Sequence, residues 1–317
     1  MMSALARSMS YFVGEPIAKR SPALLRLRVA QVLHDRFGGR CDGALRGTIA
    51  AVKPTVALPP SPRLDRAATA AASARLRARG WDILPFRLPP EDVAELKAFA
   101  FSTPAYVNSP DEQIRLEEAR IPEDQPRYIW RISDLLRTRA VRTLLADSAL
   151  AGLAQDYLGC RPLLTSVVMF LDPAYRGRYD AHVYHYDNDG PGFLKYFIYL
   201  NAVDADTGAH SFIQGTHGRI KPAQFARGRR YDRDDLLRHY GAENEMVFAG
   251  PEGMILAEDT AGFHKGTTPQ RGYRLLLQLQ FAMLDIPHVE ELAAPIEKLT
   301  IAGLDPDLRR IGRKFLA

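Results

Sequence analysis

Three stretches in the second half of the chain decide the fold: LLTSVVMFL at 163–171, FLKYFIYL at 193–200 and RLLLQLQF at 274–281. Each is short, rich in aromatic, β-branched and large aliphatic residues, and bounded by Pro, Gly or Asp, so each predicts a strand. The strands expected from this texture are Leu163–Leu171, Gly192–Leu200, His210–Gln214, Gly253–Ala257 and Arg274–Leu284. Many short strands without regularly alternating helices predict an antiparallel sandwich rather than a parallel α/β sheet. Because side chains alternate along a strand, Lys195, Phe197 and Tyr199 share one face, as do Arg274, Leu276, Gln278 and Gln280. Glutamines in an otherwise apolar run suit either an interior with polar partners or a partly solvated rim.

Upstream of residue 160 the period is helical. Leu25, Val29, Val32 and Leu33 recur at helical spacing with Arg26, Arg28 and Arg36 among them, which predicts an amphipathic helix docked on something. Prolines at 54, 59, 60 and 62 read as a linker. An Ala- and Arg-rich helix is expected over residues 64–79, closed by Gly80. Pro89-Pro90-Glu91-Asp92 and Ser148 are helix-start signals, the second for a helix running to Leu158. The chain thus divides into a basic helical extension with a Pro-rich linker, 1–79, and a main domain, 80–317.

The net charge of +5 is unevenly spread: residues 1–80 hold 14 Lys/Arg against 4 Asp/Glu, leaving 28 against 33 for the rest. A basic segment can meet nucleic acid, an anionic membrane face or an acidic partner. Nucleic acid is not expected, because no aromatic residues interleave with the arginines as a stacking platform requires. No run of about 18 apolar residues and no leader with an apolar core is legible, so no membrane span is expected. Cys41 and Cys160 are far apart and form no ligand-like cluster, which fits a reducing, cytoplasmic setting. Oligomeric state is not legible.

Candidate chemistry begins at His185-Tyr186-Asp187. A His-x-Asp pair in extended chain places two ligands on one side, and metal sites that activate O2 use two imidazoles and one carboxylate, leaving other positions open. Alone the motif has little weight, since eight histidines and 37 acids give about one match by chance. A second match, His288-Val289-Glu290, has no histidine after it. The first has His264, 77 residues beyond Asp187.

The surroundings of these residues add specificity. A Gly/Pro turn and the strand 193–200 follow Asp187; then come Asp204-Ala205-Asp206-Thr207-Gly208, His210-Ser211-Phe212-Ile213-Gln214 and Gly215-Thr216-His217. Later, Phe263-His264-Lys265-Gly266-Thr267-Thr268-Pro269 leads into Tyr273-Arg274-Leu275. With Gly80-Trp81-Asp82-Ile83-Leu84-Pro85 and Tyr157-Leu158-Gly159, this resembles the phytanoyl-CoA dioxygenase family of the iron(II) and 2-oxoglutarate superfamily, over about residues 80–285. The resemblance implies a fold that is mainly β with flanking helices, a double-stranded β-helix (jelly roll, cupin-like) core at about 160–285 with an α-helical N-terminal region. It implies metal ligands at His185, Asp187 and His264, and Arg274 as the partner of the distal carboxylate of 2-oxoglutarate, a role suited to a planar fork that stays charged when buried. Lys195 or Tyr199 could add a co-substrate contact, and Thr267 a hydroxyl. Gly266 stands where members of the family carry serine. His210, Gln278 and Gln280 are candidates to face substrate, whereas His182 and His217 are not expected to be ligands.

The implied cofactor is Fe(II), with 2-oxoglutarate and O2 as co-substrates. The implied reaction is hydroxylation of an unactivated C–H bond of a small-molecule metabolite with release of succinate and CO2. Asp187 favours hydroxylation over halogenation; desaturation, cyclisation and demethylation stay open, and the substrate is not encoded. Two alternatives remain: a non-catalytic jelly-roll binding protein, and a cupin-type metal enzyme without 2-oxoglutarate. The segments 104–132 and 222–245 are expected to act as lids.

Overall fold

The two longest strands, Leu163–Pro173 and Tyr273–Ala282, pair antiparallel along nearly their whole length, with Arg274 opposite Asp172 and Gln280 opposite Ser166. They centre a larger assembly. The computed structural model describes residues 22–107, 112–218, 220–222, 224–225, 230–287 and 296–317. In chain order its helices are α1 (Pro22–Phe37), α2 (Asp42–Val52), α3 (Arg66–Arg79), α4 (Pro90–Ser102), α5 (Ile132–Leu135), α6 (Arg139–Ala146), α7 (Ser148–Leu158), α8 (Arg233–Tyr240) and α9 (Pro306–Ile311). The strands are β1 (Trp81–Ile83), β2 (Ala105–Tyr106), β3 (Gln113–Ile114), β4 (Tyr128–Ile129), β5 (Leu163–Pro173), β6 (Phe193–Tyr199), β7 (His210–Ile213), β8 (Glu245–Phe248), β9 (Ile255–Glu258), β10 (His264–Gly266) and β11 (Tyr273–Ala282).

A large antiparallel sheet runs β1-β9-β6-β11-β5-β4-β2-β3, and a small one runs β10-β7-β8. From β5 onward the chain crosses repeatedly between them. β5 is in the large sheet, the bridge His185↔His264 joins the next segment to β10 of the small sheet, β6 returns to the large one, β7 and β8 lie in the small one, and β9, β10 and β11 alternate. Two sheets wound together in this order make a double-stranded β-helix, the jelly roll implied above. The large sheet is wider than 160–285 allows: β1 and β2–β4, which are too short to show a period of two, extend it at both edges.

Alternation assigns the two faces of the large sheet. Val167, Met169, Leu171, Leu194, Tyr196, Ile198, Leu275, Leu277 and Leu279 pack with Leu153, Ala154 and Tyr157 of α7, forming the main core. The opposite face carries Phe170, Phe197, Tyr199, Leu256 and Leu276, which meet Phe212 and Phe248 of the small sheet. That second face also bears the polar and charged residues of the candidate site. Among the described residues, no helix is long and apolar enough to cross a membrane.

Several expectations need correction. The helix to Leu158 is capped by Asp147, whose side chain accepts from Ala149 N at 2.7 Å, while Ser148 donates to the Pro59 carbonyl. The Pro-rich stretch is fastened rather than free: Val56 exchanges two hydrogen bonds with Gln155, and Ser61 bonds Asp147 at 2.8 Å. Helix α1 docks through Leu27, Ala30, Gln31 and His34, not through Leu25, Val29 and Val32, which are 64%, 52% and 64% exposed. The buried face follows its polar partners, Asn188 O for Gln31 at 2.9 Å and Asp42 for His34 at 2.9 Å. Parts of the two anticipated lid segments, and His288-Val289-Glu290, lie outside the described residues.

Helix α3 begins at Asp65, which caps Ala68 N, and ends at Gly80, whose φ of 91° ends the helix in a left-handed conformation. Leu76 and Ala72 on its inner face are fully buried. Removing a buried leucine side chain costs about 2 to 5 kcal/mol when the site cannot collapse. Leu76→Ala is therefore expected to lower the stability of the whole domain by that amount in chemical denaturation; an unchanged midpoint would mean that residues 66–79 are a loose appendage.

Candidate metal centre

His185, Asp187 and His264 come together at one end of the sandwich, each offering a ligand atom within 4.8 Å of the others. The backbone dictates this meeting. His185 N donates to His264 O at 3.0 Å and His264 N to His185 O at 2.8 Å, while Asp187 N donates to Thr260 O at 2.8 Å. The imidazoles are oriented as well as placed: His185 Nδ1 donates to Val183 O at 2.8 Å and His264 Nδ1 to Gly262 O at 3.0 Å. With Nδ1 carrying the hydrogen, each Nε2 keeps its lone pair for a metal. His185 Nε2 lies 3.8 Å from Asp187 Oδ1, and His264 Nε2 lies 3.6 Å from Asp187 Oδ2.

Electrostatics keeps these groups in ligand form. Burial pushes the His264 imidazole down to about 4, and burial together with the neighbouring His264 holds His185 well below its usual range. Burial alone would raise Asp187, but Lys195, then His264 and His185, hold it well below the usual carboxylate range. Two neutral imidazoles and a carboxylate are the donor set that suits iron(II) with open positions.

Arg274 is 1% exposed on the inner face of β11. Its Nη2 donates to Asp172 Oδ2 at 2.5 Å and its Nη1 to the Gly208 carbonyl, while Nε has no hydrogen-bond partner among the described residues. Asp172, fully buried, also takes a bidentate pair from Arg127 at 2.6 and 2.9 Å, and Arg127 lies over the Phe170 ring. Burial would raise the Asp172 carboxyl, yet Arg127 and Arg274 hold it well below its usual range. Burial lowers His182, which bonds Thr268 at 2.9 Å, so it adds no charge here near neutral pH. Two guanidinium groups on one carboxylate leave a surplus of one positive charge. Gly266 makes this possible, because a Cβ there would overlap the Arg274 guanidinium. The space that a side chain at position 266 would take is thus filled by the arginine itself.

The remaining sequence candidates sit nearby with varied partners. Lys195 Nζ is 2.6 Å from Asp187 Oδ2 and 3.2 Å from Asp189 Oδ2, so it serves the carboxylates. Tyr199 OH donates to Phe248 O at 2.9 Å and accepts from His210 N at 3.2 Å, which ties it into the small sheet. Thr267 Oγ1 lies 3.2 Å from Ser211 Oγ. Gln280 donates to Asp189 at 3.1 Å, while half-buried Gln278 stands between Phe197 and Val168 on the neighbouring strands. His210 stacks with Phe197 and with His264, its Nε2 3.1 Å from Glu258 Oε1. Sequence reasoning missed Asp172, Arg127, Asp189 and Glu258. The first and last are acids closing apolar strands, a signal that was available; their partners depend on strand order, which was not.

The chain matches no family model, and no curated protein matches it. Similar solved structures include EctD from S. alaskensis with bound Fe, 19% identical, covering 74% of this chain and 84% of that one at a TM-score of 0.49. The epimerase SnoN, in complex with Fe3+, alpha ketoglutarate and nogalamycin RO, is 18% identical, with coverages of 76% and 94% and a TM-score of 0.48. HygX from Streptomyces hygroscopicus with nickel and 2-oxoglutarate bound is 13% identical, with the same coverages and a TM-score of 0.46. These likenesses are too remote to assign an activity to this chain.

Removing the anion shared by two buried guanidinium groups leaves uncompensated charge, which costs about 3 to 5 kcal/mol. Asp172→Ala is expected to destabilise the fold by that amount in urea denaturation. Loss of less than 1 kcal/mol would show that water reaches Arg127 and Arg274 freely.

Proposed function

We propose that this protein is an iron(II)- and 2-oxoglutarate-dependent oxygenase acting on a small-molecule metabolite. The observation that carries this reading is the convergence of His185 Nε2, His264 Nε2 and the Asp187 carboxylate, with both Nδ1 atoms tied to backbone carbonyls. These three residues would hold the metal. Arg274, with an unpartnered Nε and a surplus positive charge around it, would hold the distal carboxylate of 2-oxoglutarate. When bound, iron(II) and 2-oxoglutarate supply O2 activation that releases succinate and CO2 and oxidises an unactivated C–H bond. The protein's own share is different. Val183 O and Gly262 O orient the imidazoles, Lys195 keeps Asp187 ionised, and the apolar lining of Phe197, Leu256 and Leu276 keeps bulk water from the interior. An intact carboxylate ligand favours hydroxylation over halogenation.

Within that class, the motifs of residues 80–285 support placement near the phytanoyl-CoA dioxygenase family. The free, widely separated cysteines support a reducing, cytoplasmic setting. Residues 22–79 are read as a docked part of the domain, since Ile49, Leu64, Ala72 and Leu76 belong to its main core. A second reading, a metal enzyme of the same fold without 2-oxoglutarate, draws on Arg274 being already engaged by Asp172 and Gly208.

One experiment tests the metal site and a second separates the two readings. His185→Ala, Asp187→Ala and His264→Ala are each expected to keep the fold and lose most iron binding, measured by metal titration, because an open three-ligand site cannot spare a ligand. Undiminished iron affinity in any of them would remove that residue from the site. Loss of a desolvated charge partner costs about 3 to 5 kcal/mol, so Arg274→Ala is expected to weaken 2-oxoglutarate binding at least about a hundredfold with iron affinity nearly unchanged. Arg274→Lys is expected to recover only part, keeping the charge without the fork. Equal 2-oxoglutarate affinity in wild type and Arg274→Ala would favour the second reading.

A further inference from the structure

Away from the metal centre, an open cleft of about 490 Å3 lies where the start of α2, the end of α3, α7 and the turn after β9 meet. Three arginines line it, each from a different part of the fold: Arg40 from the turn between α1 and α2, Arg46 from α2 and Arg77 from α3. Its size is that of a small-molecule site, for which volumes of about 300 to 1,000 Å3 are usual. Gly43 lines it too, and a Cβ there would meet nothing within 4 Å, so the space beside α2 is open.

The cleft and the metal centre lie on opposite sides of one segment, residues 258–264. On the interior side stand Glu258, bonded to His210, and the candidate ligand His264, while Thr260 O accepts from Asp187 N. Asp259 faces the other way and lines the cleft, its Oδ2 accepting from Tyr157 OH of α7 at 2.7 Å and its Oδ1 from Ala261 N at 3.1 Å. A ligand in the cleft therefore needs neither the metal nor Arg274.

The charges of the cleft are unequally answered. Arg77 donates to Asp156 O, lies 3.6 Å from Asp156 Oδ2 and stands 5.9 Å from the centre of the Tyr157 ring. The guanidinium groups of exposed Arg40 and half-buried Arg46 have no hydrogen bond or ion pair among the described residues. Three cations thus face two carboxylates, Asp156 and Asp259, and one positive charge is left over. A guanidinium presents a planar fork of donors that fits phosphate oxygens in pairs. A phosphate monoester carries nearly two negative charges and three acceptor oxygens, so it can engage more than one arginine at once.

We propose that this cleft is a second ligand site, which takes the phosphate group of a phosphorylated small molecule on Arg40 and Arg46, with Arg77 beside them. The site is independent of the iron and 2-oxoglutarate reading.

The test is calorimetric titration of inorganic pyrophosphate into metal-free, full-length protein at low ionic strength, for wild type, Arg46→Gln, Arg46→Lys, Arg40→Gln and Arg142→Gln. Arg142 is the control, an exposed arginine of α6 that lines a different cleft. Saturable one-to-one binding is expected in wild type, weakened at least about tenfold by Arg46→Gln and at least about threefold by Arg40→Gln. Arg142→Gln is expected to leave it unchanged, and Arg46→Lys to lose less than Arg46→Gln but not to reach wild type. No saturable binding to wild type would overturn the proposal. So would an equal loss in Arg142→Gln, which means diffuse charge attraction, or undiminished affinity in both Arg46→Gln and Arg40→Gln, which puts the anion elsewhere. If Arg46→Gln does not fold, the exposed variant Arg40→Gln decides on the same terms. Cosedimentation with phosphatidylcholine vesicles containing about a fifth phosphatidic acid distinguishes the source of the phosphate. Pyrophosphate binding without vesicle binding supports a soluble ligand, whereas vesicle binding that depends on Arg40 and Arg46 and excludes pyrophosphate would overturn it in favour of a lipid headgroup.

Discussion

The candidate centre depends on two backbone hydrogen bonds, between His185 and His264, that stitch a loop to the edge of the small sheet. They bring together residues 79 positions apart in sequence and bind both imidazoles to one local frame. Within that frame Val183 O and Gly262 O fix the ring tautomers, and the Asp187 amide is fastened to Thr260 O. A side chain whose backbone and ring are both anchored loses little further freedom when it binds an ion, so the site is preorganised by the fold. The jelly roll's alternation between sheets is what makes the bridge available: β10 can reach the segment before β6 only because β9 and β11 lie in the other sheet.

Charge is distributed along the same interior face in two separate accounts. Near the triad, Lys195 answers Asp187 and Asp189, and Gln280 reaches Asp189 as well. At the far end, Arg127 and Arg274 share Asp172 and leave one positive charge over. Buried ions persist only when paired and hydrogen-bonded, and a surplus of one sign in a closed interior is a place for a counter-charged ligand. Phe197, Leu276 and the hydrogen-bonded His210–Glu258 pair belong to the same interior.

Features governed by local spacing were legible in the chain itself. The period-two faces of β6 and β11, the caps at Asp65 and Gly80 and the strand texture after residue 160 all follow from neighbours within a few residues. The candidate ligands His185, Asp187 and His264 rest instead on motif order over a long stretch and on the resemblance of the phrases around them. What stayed hidden depends on which strands lie side by side. Lys195 and Tyr199 were nominated as co-substrate contacts, yet the first is held by two aspartates and the second by Phe248 O and His210 N. The docked face of α1 was misjudged because a lone helix shows its apolar residues but not its polar anchors, and Gln31 and His34 decide that face. The need for glycine at 266 likewise comes from a distant residue, Arg274, whose guanidinium lies where a Cβ would be.

The central claim is that three residues anchored by one backbone bridge bind iron(II) and leave adjacent positions to a chelating 2-oxo acid. The visible absorption spectrum under anaerobic conditions reads this directly, since bidentate binding of 2-oxoglutarate to iron(II) produces a weak metal-to-ligand charge-transfer band. The account predicts that the band develops only when both iron(II) and 2-oxoglutarate are added, saturating at one equivalent of each. Folded, iron-loaded protein that shows no such band at saturating 2-oxoglutarate would contradict it.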